Sequence, residues 1–166
     1  MTHKTDKLDL HTHMAHLVEA NGLPARQPQN LTAGQLPAMA DLLEALESPV
    51  RQKREAAVRA LGETNLQAAA AALVKAMNDE DFGIAWMAAN AMIKFGPIAL
   101  EPLLEAMVEG NESVWFRQGA HRVIRAMANT RHLPYLMMVL RALESIEPEV
   151  SLPIAAHAAL QGLHEA

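Results

Sequence analysis

The sequence predicts an all-α protein built from about four copies of a two-helix repeat. Three observations carry this. Ala, Leu and Met, all strong helix formers, dominate the apolar half of the chain, while strand-favouring aromatics make up only 4%. Apolar positions recur with a period of just over 30 residues: Leu46, Met77, Met107 and Leu140 lie 31, 30 and 33 apart, and Ala57, Ala88 and Ala120 lie 31 and 32 apart. Turn and cap signals recur in step with them. A lone helical hairpin cannot bury its apolar face, so such copies stack and share one core.

Each element follows from local chemistry. Residues 8–21 read as an amphipathic helix, with Leu10, Met14, Leu17 and Val18 at helical spacing and Asn21-Gly22 as its stop. Pro24, Pro28, Asn30 and Gly34 mark a linker. The expected organisation is therefore a polar segment and helix over 1–22, a linker over 23–35 and a repeat domain over 36–166.

Within the repeats, Thr32/Gln35 and Thr64/Gln67 have capping-box spacing. Ser48-Pro49 predicts a helix start with Ser as N-cap. Leu42, Leu43 and Leu46 mark the apolar face of the first helix, and Leu73, Val74 and Met77 that of its successor. Asn78-Asp79-Glu80-Asp81 is a polar turn, and Gly96-Pro97 closes the helix that follows it. Leu103, Leu104 and Met107 mark the third unit, with a turn at Gly110-Asn111 and a helix from about Ser113 to Ala128. Leu136, Met137 and Leu140 mark the fourth, with a turn near Glu147-Pro148 and a helix to about Leu163.

The second helices carry a motif. Lys53-Arg54-Glu55-Ala56-Ala57-Val58-Arg59-Ala60-Leu61-Gly62, Ile84-Ala85-Trp86-Met87-Ala88-Ala89-Asn90-Ala91-Met92 and Trp115-Phe116-Arg117-Gln118-Gly119-Ala120-His121-Arg122-Val123-Ile124 drift around V-R-x-x-A-A-x-A-L-G. In the first helices, Glu101-Pro102-Leu103-Leu104 has a companion form, with fainter echoes at Leu36-Pro37 and Leu133-Pro134. This pattern resembles the HEAT-like repeats of the phycobilisome-lyase type over roughly 36–163. Ala85 replaces the usual Arg, and the stretch around Ser151–Leu160 matches poorly.

The resemblance implies a right-handed α-solenoid of about four hairpins, with second helices lining the concave side. It also implies that Arg54 and Arg117 pair with acidic turn residues of a neighbouring unit, such as Asp79 and Asp81, and that Phe116 lies in the core. Most such proteins are adaptors or scaffolds. A few are bilin lyases, alkylpurine DNA glycosylases or the di-iron deoxyhypusine hydroxylase, and fold alone does not choose among them.

Other chemistries find little support. The net charge of -5 speaks against general nucleic-acid binding. With no cysteine there is no disulfide, thiolate metal site or cysteine nucleophile. No apolar run approaches the ~20 residues of a membrane helix, and 1–9 lacks the apolar core of a signal peptide. The chain reads as cytoplasmic, without a membrane partner or cofactor, and as a monomer or weak homodimer. Repeated His-Glu pairs for a di-iron site are missing, His164-Glu165 being alone at the chain end, and no phosphate loop or nucleophile elbow occurs.

Two constellations remain. With Ala57, Ala60 and Leu61 buried, the second helices turn Glu55, Arg59, Trp86, Asn90, Gln118, Arg122 and Arg125 away from the stack. Two readings stand: a protein-binding stripe, since Trp and Arg are enriched at interface hot spots, or Trp86 packed between units with solvated arginines around it. Trp115, at the edge of the inter-repeat turn, is a further candidate for partner binding, with core or edge packing as the favoured role. The other constellation is Asp9, His13 and His16, one helical face with metal-ligand chemistry. The bland alternative is solvated histidines beside an apolar face, with His11 pointing elsewhere. The ten methionines suggest an adaptable surface, but Met77, Met92 and Met107 occupy core positions.

Overall fold

A computed structural model describes residues 36–64, 66–110, 113–127 and 134–165. The helix expected at 8–21, the linker, the Thr32/Gln35 cap and the cluster Asp9, His11, His13 and His16 lie outside the described residues.

The described residues are helical: α1 (Leu36–Leu46), α2 (Arg51–Gly62), α3 (Gln67–Ala76), α4 (Phe82–Phe95), a 3-10 turn (Gly96–Ala99), α5 (Leu100–Glu109), α6 (Val114–Met127), α7 (Pro134–Leu143) and α8 (Pro148–Glu165). Helices α1 and α2, and α3 and α4, form antiparallel hairpins. Helices α2, α4 and α6 then pack one on the next, while α3 lies against α5. One continuous core results, with Leu61, Leu73, Met77, Ile84, Met92, Phe95, Leu103, Leu104, Met107, Phe116 and Ile124 fully buried.

Small residues set the separation of the second helices. Ala57, Ala88, Ala89 and Ala120 are buried at these contacts. A Cβ at Gly62 would lie 3.0 Å from the Ala91 Cβ, and a Cβ at Gly119 would lie 3.0 Å from the Ala89 Cβ. Helix α4 is thus held from both sides at a distance that only glycine or alanine permits.

Helix ends agree with the sequence reading in part. The Asp81 carboxylate caps α4, its Oδ1 accepting from the N–H groups of Gly83 (2.8 Å) and Ile84 (3.2 Å). The Ser113 Oγ accepts from the Phe116 N–H at 3.0 Å, capping α6. Gly96 and Gly110 adopt positive φ, 61° and 76°, and close α4 and α5. Two expected caps do not form. The N-cap of α2 is Val50, two residues past Ser48, because the Ser48 Oγ accepts the Val50 N–H in a local turn (3.2 Å). Thr64 does not cap α3, whose N-cap is Leu66; its hydroxyl donates instead to the Leu61 carbonyl at 2.8 Å. Leu43 and Met137, read as core-facing, are exposed.

The fourth pair departs from a plain stack. Helix α8 lies along α5, and α7 lies beside α6. The two helices have exchanged the places that the repeat pattern assigns them. The second-helix layer therefore runs α2, α4, α6, α7, and the expectation that every second helix lines it fails at α8. Packing explains the exchange. Helix α8 is long and buries Leu152, Ala155, Ala156, Ala159 and Leu163 while packing on both α5 and α7, whereas α7 is a short helix with Met138 turned to solvent.

The helical run Phe82–Glu109, from α4 through the 3-10 turn to α5, is long and apolar enough, by length and composition, to cross a membrane, contrary to the reading of the sequence. Its apolar window is 61% buried inside the fold, and Gly96-Pro97 interrupts it.

Candidate functional site

Two classes of arginine emerge from the packing. Arg54 is the only buried charged side chain among the described residues. Its Nε and Nη2 donate to the two carboxylate oxygens of Asp79 (2.8 and 3.1 Å), and its Nη1 to the Ser48 carbonyl (3.1 Å). This fork ties α2 to the turn of the following unit, as the motif implied. The Asp79 Oδ1 also accepts the Asp81 N–H at 2.8 Å, so the same carboxylate shapes the cap of α4. Arg51 adds a parallel link, its Nε donating to the Asp81 Oδ2 at 2.6 Å. That hydrogen bond, helped by the two capping N–H groups, holds the Asp81 carboxyl below its ordinary value. Arg117 repeats the theme two units later, pairing with Glu149 at 3.3 Å. A depression of about 410 Å³ beside Arg54 is lined by Lys75, Asp79 and Glu80 among others. Its Arg–Asp pair is satisfied internally, which marks it as a structural joint.

The second class lies on α4 and α6. Trp86, half-buried, carries the Arg122 guanidinium over its ring, 4.8 Å from the centroid. The Arg122 Nε donates to the Asn90 Oδ1 at 2.9 Å. The four-residue spacing of Trp86 and Asn90 puts both on one face of α4, and the close α4–α6 approach at Ala89 and Gly119 brings that face to Arg122. Phe82, one turn before Trp86, stacks on it at 5.7 Å, and Trp115 meets Phe82 edge-on at 5.1 Å. Trp115, Phe82, Trp86 and Arg122 form a chain of ring contacts across two helices.

Beside this chain runs an open groove of about 890 Å³ lined by Trp86, Gln118, Arg122 and Arg125, by Arg117 and His121, and by the apolar Ile93, Val114, Ala126 and Leu143. The lining contains three arginines and no carboxylate. His121 lies 2.8 Å from Glu144 at its edge.

Of the residues singled out from the sequence, Trp86, Asn90 and Arg122 are in mutual contact, and Gln118 and Arg125 line the same groove. Trp115 touches the aromatic chain through Phe82 but does not line the groove. Arg59 stands apart, exposed and paired with Glu55 at 3.0 Å. Phe82 was missed. Its spacing of four from Trp86 was visible, but the contact with Trp115 depends on how two helices dock. Leu143 was unpredictable, since it reaches the groove only because α7 takes the place expected for α8. Among the described residues no three His, Asp or Glu side chains come together in a way that could hold a metal ion.

Comparison with known proteins adds one finding. A family model described as HEAT repeats matches residues 39–121. Neither a curated protein nor a solved structure matches the chain.

Proposed function

We propose that this chain, which belongs to the HEAT-repeat family, is a non-catalytic adaptor or scaffold that holds a protein partner against the α4–α6 groove. HEAT repeats are generally protein-interaction scaffolds. The observation that carries the reading is Arg122, held over Trp86 and by Asn90 at the edge of an open groove. Two contacts fix the side chain before any partner arrives, which lowers the ordering entropy of binding. A half-buried tryptophan beside a positioned arginine also matches the residue types enriched at interface hot spots. The working form on this reading is a cytoplasmic monomer or weak homodimer. The phycobilisome-lyase likeness adds an accessory role toward a cofactor-bearing protein as a variant of the same docking.

The test is a pull-down from native extract with the full chain and with Trp86→Ala/Arg122→Glu, the retained material being identified by mass spectrometry and its absorbance recorded. An uncoloured protein retained by the wild type and lost from a folded double variant is the expected result. A pigmented partner shifts the reading to the accessory role. Equal retention by both forms removes the groove as the docking face.

A further inference from the structure

We infer that the α4–α6 groove selects an acidic peptide segment, seating a carboxylate on Arg122 and Arg125 and an apolar side chain against Ile93, Val114 and Leu143. The inference rests on the reading of this face as the docking surface and supplies the chemistry of its partner.

Charge is the first argument. The whole chain carries a net charge of -5, yet the groove is lined by three arginines without one Asp or Glu. Arg117 is bridged to Glu149, whereas Arg122 and Arg125 make no ion pair with any described residue. The net negative charge of the chain repels anionic groups at long range, so the cationic lining draws an anionic group to the groove alone.

Geometry is the second. The Arg122 Nε is occupied by Asn90 and one guanidinium face by the Trp86 ring. Both partners are neutral, so the charge is positioned but not neutralised. The Nη1 and Nη2 atoms keep their donors without a partner among the described residues, in the forked arrangement that fits a carboxylate bidentately. Arg125, exposed on the next turn of α6, lies three residues on and on the same side.

Size and lining are the third. About 890 Å³ lies within the range of sites that take a short peptide's worth of atoms, roughly 300–1,000 Å³. The apolar stretch formed by Ile93, Val114, Ala126 and Leu143 calls for one apolar side chain next to the acid. A nucleic acid fits less well, because Glu144 and Glu149 pair with His121 and Arg117 and leave only Arg122 and Arg125 for a run of phosphates.

The experiment selects a random peptide library displayed on phage against the immobilised full-length protein, the Arg125→Glu variant and the Arg122→Glu/Arg125→Glu variant. Retained circular dichroism checks each fold. Arg125→Glu keeps the test open should the double variant misfold, since Arg125 makes no ion pair with a described residue. The wild type is expected to enrich sequences with Asp or Glu beside an apolar residue. A synthetic peptide from that set should bind in solution, with Kd raised about tenfold by Arg125→Glu and raised further by salt. The double variant should enrich Lys or Arg instead. Enrichment of neutral or basic sequences by the wild type, no enrichment, or a Kd indifferent to Arg125→Glu overturns the inference, as does binding of a thymidine dodecamer without any acidic peptide. A native partner lost by Trp86→Ala but indifferent to Arg125→Glu would leave the docking face standing and sink the acidic chemistry alone.

Discussion

Gly119→Ala tests the claim that glycine and alanine set the α4–α6 distance, and with it the position of Arg122 over Trp86. Two effects oppose each other. Glycine inside a helix costs about 0.8–1.0 kcal/mol relative to alanine, so the substitution should by itself stabilise α6. The new methyl, however, arrives 3.0 Å from the Ala89 Cβ and 3.1 Å from the Met77 Cε. The methionine terminus can swing aside. The Ala89 Cβ is fixed to its backbone, so relief requires α4 and α6 to part by a few tenths of an ångström. Overpacking of this kind costs about 1–3 kcal/mol. The expected balance is a net loss of roughly 1 kcal/mol. In an Ala89→Gly background the obstructing carbon is gone, and the same substitution should stabilise by about 1 kcal/mol. The coupling in this double-mutant cycle is therefore about 2 kcal/mol. Guanidinium unfolding followed by far-ultraviolet circular dichroism measures it, provided the m-value stays constant across the four proteins. A Gly119→Ala protein stabilised by the full helix-propensity gain, or a coupling near zero, would refute the close-approach argument.

Three further outcomes are expected. Arg54→Ala should lower the melting temperature most, Arg117→Ala less and Arg59→Ala least; Arg54 loses a buried bidentate partner, Arg117 has an exposed one, and Arg59 only an intrahelical pair. Thermal melts of the three variants give the order, and an Arg59 variant as damaged as the Arg54 variant would contradict it. Asp81 has a folded pKa held below the ordinary carboxylate value of 3.8 by Arg51 and the capping N–H groups, so its stabilisation is present above that value and disappears as pH falls through the folded pKa. Asp81→Asn keeps a capping oxygen but no charge, and melts taken down to about pH 2 should show a flatter acid limb for it than for wild type; parallel acid limbs would show that the carboxylate contributes nothing. Arg122→Lys keeps the charge but loses the planar fork and the Nε hydrogen bond, so it should weaken partner binding nearly as much as Arg122→Ala in a titration, and a lysine variant binding like wild type would show that charge alone suffices.

The repeat was legible because stacking makes the same demand in every unit. Ala57, Ala88 and Ala120 recur since each faces the same kind of close contact, and Met77 and Met107 fill equivalent core positions. The inter-unit arginine was legible for the same reason. Local caps were legible only where nothing nearby competed. Asp81 and Ser113 bond forward to their helices, whereas Ser48 and Thr64 find nearer partners, the Val50 N–H and the Leu61 carbonyl. The exchange of α7 and α8 was illegible, because it depends on how whole helices dock and not on the register within either one. The groove inherits that limit. Its α4 and α6 residues were readable from helical register, while Phe82's bridge to Trp115 and the arrival of Leu143 depend on how whole helices dock.

The repeat motif sets Arg54, the expected inter-unit joint, apart from Arg122, and the structure supplies the physical difference. Both are arginines on second helices, and both make contacts across to the neighbouring unit. The identity of their partners separates them. Arg54 gives three of its nitrogens to a carboxylate and a carbonyl, so its charge is spent inside the fold and the pair acts as a joint. Arg122 is steadied by an amide and an indole face, neither of which cancels a positive charge. Folding alone offers little reason for that arrangement, since an exposed cation–π contact contributes only about 0.5–1 kcal/mol and fixing a long side chain consumes much of it. A charge held still and left unneutralised at the edge of a groove is what recognition of an opposite charge requires, and the same test applied to Arg51 and Arg117, each bridged to a carboxylate, assigns them to the frame.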